Sequence, residues 1–129
     1  MSFDLINPEP LGRPSGWTNG MLARAGGRVL FVAGQAAPPG TLVEQWDKVL
    51  ARILAVVQAA GGRPEDIGRM TVYVTDLAAY RASRPALGEV HRRHLGRHYP
   101  AMALVEVKGL VDPQAVVEIE ATAVIEEPD

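Results

Sequence analysis

The sequence predicts an α+β fold in which two helices pack on one face of a mixed β-sheet. Three observations carry that expectation. Strand-like and helix-like segments follow one another as strand, strand, helix, strand, helix, strand, strand. The segment opened by Thr41 repeats apolar residues at the helical period. The segment Val116 to Ile125 alternates at period two, with Val117, Ile119, Ala121, Ala123 and Ile125 on one side and Glu118, Glu120 and Thr122 on the other.

In chain order, a weak strand falls around Gly20 to Arg24. It is expected to turn at Gly26-Gly27 and form a hairpin with Arg28 to Gln35, RVLFVAGQ. Thr41 with Glu44 is a capping box that starts the first helix. Trp46, Val49, Leu50, Ile53, Leu54, Val57 and Ala60 form its apolar face, and Gly61-Gly62 followed by Pro64 stops it. Met70 to Thr75 reads as a strand ended by Asp76. A second helix is expected from about Arg84 to about His98, with Pro85 in its first turn, where a missing N–H costs nothing. Ala101 to Val107 and Val116 to Ile125 are the last strands, with a turn at Asp112-Pro113.

The apolar side of the last strand is expected to lie under the helices. The opposite face is expected to carry Glu118 and Glu120 with Met102, Leu104 and Glu106. A mixture of carboxylates and apolar groups suits neither open water nor a sealed core. A neighbouring subunit partly covering that face would explain it, so an oligomer is expected.

Length and composition narrow the functional classes. A chain of 129 residues is expected to form a single domain, 1–129, with a core of its own. It has no cysteine, which excludes disulfides and thiolate metal sites. MSFDLINPEP lacks the basic and apolar regions of a signal peptide, and no apolar run approaches the ~18–20 residues of a membrane span. A formal net charge of -2 and a pI near 5.9 give no general attraction to nucleic acid or anionic lipid. A cytoplasmic protein with no nucleic-acid or membrane partner is expected.

The stretch HRRHLGRHYPAM, residues 91–102, holds all three histidines. On a helical wheel His91, His94 and His98 fall beside Leu87, Val90 and Leu95, while Arg92 and Arg93 turn outward. The spacing suits a chelate, but no carboxylate shares the stripe to orient an imidazole. Three arginines without interleaved aromatic residues make a poor nucleic-acid surface. The stretch reads mainly as a solvated helix end, and neither a metal nor a cofactor is expected.

Three pieces of the chain resemble the RidA/YjgF family, the reactive-intermediate imine and enamine deaminases also labelled endoribonuclease L-PSP-like. They are VLFVAGQ, EQWDKVLARILAVVQAAGGRPEDIGRMTVYVTDL and PAMALVEVKGLVDPQAVVEIEATAV. The resemblance implies a chorismate-mutase-like (RidA-type) α+β fold, homotrimers with clefts between subunits, and hydrolysis of 2-imino or 2-enamino acids to 2-keto acids and ammonia. It implies a catalytic role for Glu118, which matches the family's water-positioning glutamate. It implies substrate contacts from Trp17, from the backbone at Gly34 and Gln35, and from the positions of Ala33, Arg84 and Met102. Three of these depart from the family pattern. Met102 stands where the family's carboxylate-gripping arginine is expected, Ala33 where a serine is expected, and Arg84 near the position of an asparagine.

Methionine cannot form the bidentate, charge-assisted pair that arginine makes with a carboxylate. The implied function is therefore a deaminase or hydrolase acting on a small imine or enamine with altered specificity. The alternative is a non-catalytic trimer that binds a small metabolite or has a regulatory role. A ribonuclease follows only from the family label, and an acidic chain without a stacking surface disfavours it. Each candidate also has a plainer reading: Glu118 as an interface carboxylate, Trp17 as packing, and Arg84 as a solvated charge near a helix cap.

Overall fold

The computed structural model describes residues 3–127. Its main sheet has four strands in the order β3 (Arg28–Gln35), β6 (Val117–Ile125), β4 (Ile67–Val74), β5 (Ala101–Glu106). A separate two-stranded sheet joins β1 (Phe3–Ile6) to β2 (Gly20–Ala23). The helices are α1 (Leu42–Ala59), α2 (Leu77–Ala82) and α3 (Arg84–Leu95). β6 runs antiparallel to both β3 and β4, and β4 pairs with β5 in parallel, so the sheet is mixed. A parallel pair needs a crossover of a dozen or more residues, which α2 and α3 supply.

α1 begins where its capping box is complete. Thr41 Oγ1 accepts from the Glu44 backbone N–H at 3.2 Å, and the Thr41 backbone N–H donates to Glu44 Oε1 at 2.9 Å. The Thr41 backbone N–H, and after it the Thr41 side chain, hold the Glu44 carboxyl below the usual carboxylate range. Val49, Leu50, Ile53 and Val57 of α1 are buried against Val72 and Val74 of β4 and Val117, Ile119 and Ala123 of β6. Leu87, Val90 and Leu95 of α3 join the same core. Both long helices thus cover one sheet face, and the apolar side of β6 lies beneath them as its alternation requires.

Four expectations are corrected. β2 does not form a hairpin with β3: its partner is β1, and β3 pairs with β6 instead. β6 offers a long apolar side on which Leu30 and Val32 of β3 sit opposite Ala123 and Ala121. β2 presents no such side, with Met21 and Leu22 partly or largely exposed. Among the described residues there are three α-helices rather than two, because Asp76 does more than end a strand. Its Oδ1 accepts from the Ala79 backbone N–H at 3.1 Å and so starts α2. The last helix stops at Leu95 and not at His98. Gly96 takes a left-handed φ of 61° while its N–H still reaches the Arg92 carbonyl.

The fourth correction concerns the faces of β5. Met102, Leu104 and Glu106 pair with Met70, Val72 and Val74, which face the helices. All three therefore lie on the helix side and not beside Glu118 and Glu120. Met102 and Leu104 pack against the core, and Glu106 Oε1 accepts from the Leu77 backbone N–H at the start of α2 at 2.9 Å.

Candidate functional site

A cavity of about 430 Å³ opens on the helix side of β5. β5 contributes Met102 and Leu104, and α3 contributes Arg84, Leu87, Gly88 and His91. α1 and α2 add Trp46 and Tyr80, whose rings stack with centroids 5.9 Å apart. The segment Ser15-Gly16-Trp17 closes one side, with Trp17 44 % exposed. Thr18 holds that segment in place. It is buried, its Oγ1 donates to the Tyr99 carbonyl at 2.6 Å, and its backbone N–H donates to the Pro100 carbonyl at 3.3 Å. A polar side chain thus pins the N-terminal segment at the entry of β5 and sets Trp17 beside Met102.

The charge pattern in the cavity is simple. Arg84 is the only fixed charge among the described residues that line it, and no carboxylate lines it. Aromatic and aliphatic walls with one cation at the rim suit an apolar molecule bearing an anionic group. His91 is the other ionisable lining group of note. Its ring stacks on Tyr99 at 4.8 Å and 5°, its Nε2 lies 2.8 Å from the His98 carbonyl oxygen, and burial pushes its pKa below the ordinary 6.5.

The other face of the sheet carries a second group. β3 bulges between Val32 and Gln35, where Val32 pairs with Ala121 and Gln35 with Ile119. The bulge brings Gly34 over Glu118, so close that a Cβ on Gly34 would lie 2.7 Å from Glu118 Oε2. Glycine at this position is what makes room for the carboxylate. Nearby, the Tyr73 hydroxyl donates to Glu120 Oε2 at 2.5 Å, and that bond raises the Tyr73 pKa. Gln35 turns the other way. Its Oε1 accepts from Arg52 Nε of α1 at 3.0 Å, and its Nε2 donates back to the Ala33 carbonyl at 3.1 Å.

Residues 16–125 match the family described as Endoribonuclease L-PSP. The chain belongs to this family, the RidA/YjgF proteins. A RutC family protein of Pyrococcus horikoshii is 32% identical over 124 residues, covering 90% of each chain. The Rid-family protein YyfB of Yersinia pestis, described as of unknown function, is 31% identical. The alignment covers 97% of this chain and all of YyfB with a TM-score of 0.83. The YjgF gene product of E. coli is 28% identical over 84% of this chain and 87% of its own, with a TM-score of 0.67.

Within this RidA/YjgF chain the structure sorts the candidate residues into separate places. Trp17, Arg84 and Met102 meet in the one cavity. Gly34 and Glu118 meet on the opposite sheet face, with Ala33 in the same bulge. The Gln35 side chain is engaged with Arg52 and the Ala33 carbonyl and does not line the cavity. Sequence reading missed His91, Tyr80, Trp46 and Tyr99 as cavity residues. Only the spacing of His91 was visible in the sequence; its stacking partner and the cavity are tertiary.

The histidine stretch is more than a solvated helix end. Each ring has its own partner: His91 the His98 carbonyl, His94 the Asp47 carboxylate of α1, and His98 the Ile67 carbonyl. The carboxylate absent from the stripe comes from the neighbouring helix. Among the described residues no three histidine or acidic side chains are placed to hold a metal ion. Among the described residues no helix is long and apolar enough to cross a membrane.

Proposed function

We propose that this RidA/YjgF protein is a hydrolase, a deaminase acting on a small imine or enamine metabolite, with specificity unlike that implied for 2-imino acids gripped through the position of Met102. The observation that supports it most is the charge pattern of the cavity: Arg84 is the lone fixed cation among the described residues that line it, and Met102 stands where the resemblance places an arginine. In this reading the anionic end of the substrate meets Arg84. Its apolar body lies against Trp17, Met102 and Leu104. A second copy seated over the open side would limit competing water. A substrate with a bulky apolar or aromatic body fits these walls better than a short one.

Glu118 positions the attacking water in this reading. It faces away from the cavity of its own chain, so the reading requires a second copy to present its Gly34–Glu118 face to this cavity. A homotrimer in the cytoplasm is the form proposed. A mixed sheet face carrying Glu118, Glu120, Val29, Phe31 and Val105 supports that contact.

The test is ammonia release from imines generated in situ, comparing the protein with its Met102→Arg and Arg84→Met variants. A charge-assisted hydrogen bond is worth about 1.5–3 kcal/mol, roughly ten- to over a hundredfold in affinity. Arg84→Met should therefore raise KM by at least about tenfold, and Met102→Arg should shift preference toward short 2-imino acids. If all three proteins leave the imines at the uncatalysed rate, the hydrolase reading falls. The apolar wall made by Met102 and Leu104 favours a second reading, a non-catalytic trimer that binds a metabolite. That reading gains if an apolar anion raises the melting temperature and is never turned over.

A further inference from the structure

The wall of this cavity also holds an imidazole, that of His91. His91 Nε2 lies 2.8 Å from the His98 carbonyl oxygen. A carbonyl oxygen only accepts, so Nε2 carries the hydrogen. A neutral imidazole has one N–H, which leaves Nδ1 as a bare lone pair. Stacking on Tyr99 at an interplanar angle of 5° fixes the ring plane. Among the described residues Nδ1 has no hydrogen-bond partner, and it is not sealed from solvent. The ring is thus held by one nitrogen and one face, with its basic nitrogen open.

We propose that His91 is the proton-transfer residue of the cavity, its Nδ1 taking a proton from the attacking water and returning it to the departing amine. This rests on the hydrolase reading and adds the acid–base group to it. Water adds to the carbon of the protonated imine, the C–O bond forms, and the π electrons of the C=N bond pass to nitrogen. The proton lost by the water goes to Nδ1. The imidazolium then protonates the amine nitrogen of the carbinolamine, the C–N bond breaks, and the hydroxyl proton leaves with ammonia as ammonium. Protonated imine and water become a ketone and ammonium, and His91 ends neutral. Glu118 orients the water and is not asked to accept its proton.

The surroundings keep the imidazole in its basic form. Burial is the largest influence, and the neighbouring His98 and His94 lower the pKa further. The backbone bond to His98 acts in the opposite direction. Tyr99 lies beneath the ring, and Arg84 and Tyr80 are the charged and titratable groups that the other cavity walls contribute. Asp47 of α1 is engaged by His94. A carboxylate, which would favour the imidazolium, is absent among the described residues lining the cavity. His91 is therefore neutral near pH 7, and activity should fall only as the pH drops through its lowered pKa.

Two measurements decide it. The first is the pH dependence of ammonia release by the wild type and His91→Gln, whose side-chain amide can still donate to the His98 carbonyl but has no basic nitrogen. The expected result is a fall in kcat of about a hundredfold or more with KM little changed, together with loss of the acid limb of the wild-type profile. If His91→Gln keeps its rate and its acid limb while the wild type is active, His91 is not the base and the hydrolase reading survives. If the wild type releases no ammonia, both are overturned.

The second is the 15N spectrum of histidine-labelled wild-type protein near pH 7, which needs neither turnover nor a folded variant. A protonated Nε2 with a bare Nδ1, titrating below the ordinary range, is expected. A protonated Nδ1 overturns the proposal.

Discussion

Asp47 and His94 join two helices that are far apart in sequence. His94 Nε2 donates to Asp47 Oδ1 at 2.5 Å, and Arg93 Nη1 lies 3.6 Å from the same oxygen. The bond from His94 is the main reason the Asp47 carboxyl sits below its ordinary 3.8, with the nearby Arg93 charge assisting. A carboxyl depressed in the folded state stabilises the fold above its unfolded pKa, and that stabilisation is lost as the pH falls through the lowered value. The Asp47 side chain is 37% exposed, so screening limits the contribution to about 0.2–1 kcal/mol. Asp47→Asn should therefore melt lower than the wild type at pH 6, with the difference closing toward pH 3. A constant difference across that range would assign the effect to packing. The sequence shows the three histidines and their spacing but not this partner, because Asp47 and His94 meet only when α1 and α3 lie on the same sheet face.

At the scale of elements, α1 is the part most legible in the sequence, since its start, apolar face and stop all follow from local chemistry. Gln45 is the exception on its apolar side, being completely buried. Its Nε2 donates to the Gly40 carbonyl at 2.8 Å and the Gln114 carbonyl at 3.1 Å, and its Oε1 accepts from the Val116 N–H at 3.0 Å. One side chain thus ties the first turn of α1 to the chain entering β6. Gln45→Leu would strand those backbone groups, each costing about 1–3 kcal/mol when left unpaired and buried. A loss of at least about 2 kcal/mol in denaturant unfolding is expected, and a near-neutral result would mean that water takes over the bonds. The elements that escaped sequence reading are short or depend on distant partners. α2 rests on a single cap at Asp76, and β1 exists only by pairing with β2.

For the whole molecule, the sheet face away from the helices leaves large apolar side chains exposed. Phe31 is 79 % exposed there, with Val29 and Val105 also exposed and the Tyr73–Glu120 pair between strands. Light scattering at micromolar concentration should give a trimer for the wild type and a smaller species for Phe31→Glu, which places a charge on the face proposed to be covered. A monomeric wild type would remove both the trimer and the delivery of Glu118 to the cavity. By itself the sequence determined the α+β class, the long first helix and the inward side of the last strand, because capping and periodicity are written in neighbouring residues. It also marked Trp17, Arg84, Met102, Gly34 and Glu118. Only the tertiary structure decided which of these share a place. The parallel register of β4 and β5 turns Met102 toward the helices, and the β3 bulge sets Gly34 over Glu118 on the other face. Pairing register and bulges depend on contacts between strands distant in sequence, and a shift of one residue exchanges the two faces.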